Sequence, residues 1–223
     1  DAAKHGAKIL TRTRVTSAIR AGDHWQIDTI GPDGPATHHA RILINAGGPW
    51  VADILRNVTH STSTEGVRLV RGSHIVTRKL YDHDRCYFFQ GTDGRIIFSI
   101  PYEQDFTLIG TTDQDHTGDP ADAKCTDAER DYLLTFASAY FAKPVTAADV
   151  VWTYSGVRPL YDDGAKSATA ATRDYVLSLH ADGPPLLNVF GGKITTYRIL
   201  AEQVLAKLAA HIPTASAPWT ARA

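Results

Sequence analysis

The sequence predicts an α+β protein in which an antiparallel sheet is inserted between two parts of a parallel α/β unit. Two apolar runs, Arg41–Ala46 and Leu186–Phe190, have the continuous hydrophobicity of strands buried on both faces. They stand far apart, and each ends in a glycine pair. Between them lie short β-rich segments broken by turn residues, with one helical stretch. The two runs are therefore read as strands of one sheet, and the middle as an insertion.

Each element has its own signal. Residues 8–45 read as strands: Lys8–Arg20 is rich in alternating and β-branched residues, and Trp25–Ile30 alternates cleanly. Gly31-Pro32-Asp33-Gly34-Pro35 is a turn, because glycine and proline fix its dihedrals. A short helix is expected over Trp50–Asn57, after Gly47-Gly48-Pro49. Beyond the polar stretch His60–Gly66, strands are expected at Val67–Arg78, Arg85–Gln90, Arg95–Pro101 and Phe106–Thr112. Thr126-Asp127-Ala128-Glu129 is a capping box, so a helix should run from Thr126 to about Phe141. Val150–Val157 and Tyr175–His180 complete the strand set. After Gly191-Gly192, the spacing of Ile194, Tyr197, Ala201, Val204, Leu205 and Leu208 predicts an amphipathic helix.

Composition narrows the function classes. The 223 residues are 43% hydrophobic and 21% charged, which excludes a disordered chain. Lys and Arg number 23 against 24 acidic residues, a net charge of -1 that argues against nucleic-acid binding. No apolar run approaches the roughly 18 residues of a membrane span. Cys86 and Cys125 fit neither a disulfide framework nor a metal knuckle, so a reducing cytoplasm is expected. The chain has 0 methionines and starts at Asp1, so an internal piece of a longer protein is expected.

No phosphate-binding GxxxxGK[ST] loop, HExxH, GxSxG or GxGxxG motif is present. Asp113–Gly118 starts like a calcium loop, but Lys124 stands where the twelfth ligand should be acidic. The 10 histidines show no metal spacing, and no metal site is expected. The glycine pairs are more informative, since an open α/β sheet places ligands outside the carboxyl ends of its strands. Asn45-Ala46-Gly47-Gly48-Pro49-Trp50 would let backbone approach a flat cofactor, or would serve as a tight strand-to-helix turn. Gly191-Gly192-Lys193-Ile194-Thr195-Thr196 puts a lysine and two hydroxyls at a helix start, where free N–H groups and the dipole attract an anion. Arg158, followed by Pro159, and Arg173 are strand arginines whose guanidinium forks suit phosphate or carboxylate. His74, in Gly72-Ser73-His74, reads on its own as a plain strand histidine.

Together these segments resemble a known family. Val67–Val76, Arg95–Asp113, Val150–Asp163, Thr172–His180 and Leu186–Leu205, with the Asn45–Trp50 block, are similar to FAD-dependent glycerol-3-phosphate dehydrogenases. The similarity runs from about Ala40 to Leu208. It implies an antiparallel-sheet substrate-binding domain over 61–183, flanked by parts of a Rossmann-type FAD-binding domain at 1–60 and 184–223. It implies oxidation of sn-glycerol 3-phosphate to dihydroxyacetone phosphate, with hydride passing to FAD and electrons onward to quinone. His74 is the implied base, with Arg158 as rival, and Arg158, Arg173 and Lys193 the implied substrate contacts. Gly47, Gly48, Gly192, Lys193, Thr195 and Thr196 are implied near the flavin. Peripheral contact with the inner face of the cytoplasmic membrane is a further implication, and a homodimer is among the expected assemblies. The N-terminal dinucleotide fingerprint and the C-terminal helical domain of the family have no counterpart in the sequence, so weak or no FAD binding by this stretch alone is expected. Two alternatives remain: a glycerol-3-phosphate oxidase using dioxygen, and a non-catalytic phosphate-binding module on the same scaffold.

Overall fold

Alternation in the first forty residues builds a meander. In a computed structural model describing residues 1–164, 174–212 and 219–222, β1 (Arg14–Ala21), β2 (His24–Gly31) and β3 (Gly34–Ala40) pair antiparallel in that order. Residues 8–13, expected to start the first strand, lie outside it. The turn into β3 uses Gly34 at φ +96, a conformation that favours glycine.

The second sheet carries the glycine turns. β4 (Leu43–Asn45) and β12 (Leu186–Phe190) run parallel, with Asn45 opposite Asn188, and β11 (Val176–His180) pairs antiparallel on the far side of β12. All five residues of β12 are buried, and its two faces serve different neighbours. Leu186 and Phe190 pack with Ala18, Trp25, Val51 and Leu55. Leu187 and Val189 pack with Val204 and Leu208 of the closing helical segment, which contains α3 (Tyr197–Lys207). Each such side chain contributes about 1.5–3 kcal/mol by leaving water. β4 does not match its expected double burial: Ile44 is 45% exposed, because β4 is the outer strand of this sheet. The helix expected at Trp50–Asn57 is a composite: a 3-10 turn at Gly48–Trp50, α1 (Val51–Asp53) and a π turn at Ile54–Val58.

The third sheet orders β10 (Val150–Tyr161), β5 (Val67–Arg78), β8 (Phe106–Gly110), β7 (Ile96–Tyr102) and β6 (Tyr87–Gln90), with the short β9 (Gln114–Asp115) also on β5. Where partners are resolved, all of them run antiparallel. α2 (Asp127–Ser138) starts at the expected capping box and sets Leu133, Leu134 and Ala137 against Ile75, Ile97 and Ile109.

The chain divides into two units. One comprises residues 1–67, 160–162 and 172–223, and the other 68–159 and 163–171. The strand expected at Tyr175–His180 in the middle segment instead joins the sheet of the first unit, because β11 pairs with β12 from Val176↔Phe190 to His180↔Leu186. The α+β class with antiparallel sheets is as the sequence implies.

Candidate active site

In the second unit, β5, β8 and β10 bring a histidine and an arginine together. His74 stands opposite Gly110 in the β5–β8 register. A Cβ at Gly110 would lie 2.1 Å from His74 Cδ2, so only glycine leaves room for the imidazole against that strand. The other side of the ring stacks on Tyr154 of β10, with centroids 4.8 Å apart and planes 3° from parallel. Nδ1 is buried and has no hydrogen-bond partner among the described residues. Burial first, and the Arg158 cation second, lower the pKa below the ordinary 6.5. The imidazole is therefore mainly neutral at neutral pH.

Arg158 is clamped. Its Nη1 donates to Asp113 Oδ1 at 2.5 Å and its Nη2 to Thr111 Oγ1 at 3.3 Å. Gly72 closes the space behind it, since a Cβ there would sit 2.7 Å from Nη2 and 3.0 Å from Cζ. The fork has further N–H donors for an anion, and its orientation is fixed before any ligand arrives. The structure brings together His74 and Arg158, both named from the sequence, with Tyr154, Thr111 and Asp113, which were not. Asp113 drew notice only as a rejected calcium-loop start; its place three residues past the end of the apolar β8 was the available signal.

The remaining expected residues belong to the first unit or lie outside the described residues, as Arg173 does. The parallel register of β4 and β12 sets the turns at Gly47-Gly48 and Gly191-Gly192 at the same, carboxyl, end of neighbouring strands. Gly48, Gly191 and Gly192 have φ of +56, +72 and +99. Gly47 has a packing role, because a Cβ there would lie 2.3 Å from Ile54 Cδ1, whereas a Cβ at Gly48 would meet nothing within 4 Å. Lys193 and Thr195 are exposed, and Thr196 Oγ1 donates to the Lys193 carbonyl. Ile194 and Tyr197 are 87% and 70% exposed, an apolar surface beside the turn.

The sequence matches the FAD dependent oxidoreductase (DAO) family over residues 1–198. It is 45% identical over 226 residues to a glycerol-3-phosphate dehydrogenase of Pseudomonas aeruginosa and 46% identical over 222 residues to a D-erythritol 1-phosphate dehydrogenase of Brucella abortus. These alignments cover 100% and 98% of the chain but 44% of each relative, so the chain spans less than half their length. The structure of a glycerol-3-phosphate dehydrogenase from Bacillus halodurans complexed with FAD superposes with a TM-score of 0.83 at 29% identity, over 99% of this chain and 42% of that one.

Proposed function

The chain belongs to the FAD-dependent oxidoreductase family, and on that premise we propose that it serves the oxidation of sn-glycerol 3-phosphate to dihydroxyacetone phosphate. One observation carries this reading: a neutral imidazole close enough to a clamped guanidinium to feel its charge. That combination suits removal of a hydroxyl proton from an anionic substrate.

The glycine turns of the first unit fit the family cofactor. They are open backbone at the carboxyl ends of parallel strands, with positive-φ glycines and the exposed Lys193, Ile194 and Thr195 beside them. Gly48, Gly192, Lys193, Thr195 and Thr196 would hold FAD there, with Gly47 shaping the turn. When bound, FAD supplies the acceptor for the hydride from substrate C2. The chain's own residues do the rest: the His74 imidazole takes the C2 hydroxyl proton through Nε2, since Nδ1 is buried, and Arg158 grips the substrate anion. The ion pair with Asp113 suits Arg158 to that grip and not to the role of base. Arg173 and Lys193 are carried into the proposal as substrate contacts from the family resemblance alone.

Quinone as electron acceptor, peripheral contact with the inner face of the cytoplasmic membrane and a homodimer belong to the same proposal. No helix among the described residues is long and apolar enough to cross a membrane. Stopped-flow reoxidation with quinone and with dioxygen separates a dehydrogenase from an oxidase. The Brucella abortus relative favours a second substrate, D-erythritol 1-phosphate, which shares a phosphate and secondary hydroxyls. Steady-state rates with the two polyol phosphates decide between them.

Two results test the assignment of roles. The kcat/KM profile should fall on the acid side through a pKa below 6.5, because His74 must be neutral to accept a proton. His74→Asn should remove that limb, and an unchanged profile would return His74 to a structural role. Gly72→Ala should crowd Arg158 Nη2 and Thr111 Oγ1, both side-chain ends that can give way without moving backbone. Stability should change little, whereas kcat/KM should fall by up to about a hundredfold through misplacement of the fork. Wild-type kinetics in Gly72→Ala would show that the orientation of Arg158 does not matter.

A further inference from the structure

We propose that Glu129 is a positioning residue that sets both His74 and the Arg158 clamp from the first turn of α2. The proposal rests on the substrate roles given above to His74 and Arg158, and goes beyond them.

Glu129 is 4% exposed, although it occupies the third helical position, where a capping-box carboxylate ordinarily faces water. Its Oε2 accepts from the Thr126 N–H at 3.0 Å, from Thr126 Oγ1 at 2.9 Å and from Arg71 Nη2 at 2.9 Å. The first two contacts cap the helix. Oε1 does something a cap does not need: it accepts from Thr112 Oγ1 at 2.8 Å, Ser73 Oγ at 2.9 Å and Arg71 Nε at 3.2 Å. Burial raises the pKa, yet the Thr126 N–H and the donors from Thr112, Arg71 and Ser73 outweigh it and hold the group at about 2. The carboxylate is ionised throughout the working range.

Two of the three Oε1 partners, Thr112 and Ser73, adjoin the site. Thr112 stands between Thr111 and Asp113, the two residues that hold Arg158. Its hydroxyl also accepts from the Ser73 N–H at 2.9 Å, which ties β5 to the segment after β8. Ser73 immediately precedes His74. Because the Ser73 hydroxyl spends its one proton on Glu129, the 2.8 Å contact between Ser73 Oγ and Ser155 Oγ requires Ser155 to donate. Ser155 follows Tyr154, on which His74 stacks, and lies on the same strand as Arg158. One buried carboxylate thus fixes three backbone segments that carry the imidazole, its stacking partner and both holders of the guanidinium. A glutamine would present an amide N–H₂ to this ring of donors and could not satisfy both sides.

The test separates positioning from folding through KM. A purely structural defect lowers the number of active sites, which flavin content counts, and leaves KM alone; a displaced guanidinium raises KM for an anionic substrate. In the holoenzyme, Glu129→Gln should raise KM for glycerol 3-phosphate about tenfold, with kcat per bound flavin also reduced. Ser155→Ala removes one donor to Ser73 and leaves every contact of Glu129 itself in place. It should raise KM by about threefold with an unchanged melting temperature. If Glu129→Gln does not fold, Ser155→Ala decides alone. Wild-type KM in the folded variants, while Arg158→Ala raises it, would overturn the positioning role and spare the substrate reading. Wild-type KM in Arg158→Ala as well would overturn both.

Discussion

Replacing Glu129 with alanine should destabilise the second unit by about 3–5 kcal/mol, the usual cost of removing one partner from a buried ion pair. Arg71, whose side chain is 19% exposed, would keep its charge without the carboxylate, and the donors of Ser73, Thr112 and Thr126 would lose their acceptor. The same group sets an acid limb of stability. Its folded pKa of about 2 lies below the ordinary 4.5, so its contribution is complete above pH 4.5 and is lost as the pH falls toward 2. The gap corresponds to about 3 kcal/mol at about 1.4 kcal/mol per pKa unit. Urea midpoints measured between neutral and acidic pH should fall more steeply in the wild type than in Glu129→Gln. Parallel curves would show that Glu129 does not govern acid stability.

The largest functional loss is expected from Arg158→Ala. A charge-assisted contact to a phosphate is worth about 1.5–3 kcal/mol, so kcat/KM should drop roughly ten- to a hundredfold. Asp113→Asn keeps the guanidinium but weakens the bond that aims it, and should give a smaller loss in the same direction. Arg158→Lys retains charge without the planar fork, and should recover only part of the activity. Full activity in Arg158→Lys would mean that charge alone matters, and full activity in Arg158→Ala would remove the residue from the site.

Much of this was legible before any coordinates. The antiparallel middle sheet, the capping box at Thr126–Glu129 and the buried strand Leu186–Phe190 follow from periodicity and turn chemistry, which are local properties. What the sequence could not reveal depends on pairing. Val176–His180 looks like any other half-buried strand, and only its register with β12 assigns it to the first unit. Ile44 reads as buried because its neighbours are apolar, but an outer strand exposes whichever face lacks a neighbour. Of the candidate site, Arg158 could be read as an anion ligand from its strand and proline, and His74 only through the family resemblance. Asp113, Thr111 and Tyr154 could not, because their roles arise from cross-strand contacts between residues more than forty positions apart. Glu129 was recognised as a cap, yet no local pattern distinguishes a solvated capping glutamate from one that also binds Thr112 and Ser73.

Anaerobic mixing of the FAD-loaded holoenzyme that carries this chain with glycerol 3-phosphate, followed by flavin absorbance, tests the proposed oxidation most directly. The wild type should bleach within one turnover, and Arg158→Ala should bleach roughly ten- to a hundredfold more slowly at subsaturating substrate. Bound flavin that stays oxidised in the wild type, with glycerol 3-phosphate and D-erythritol 1-phosphate alike, would contradict it.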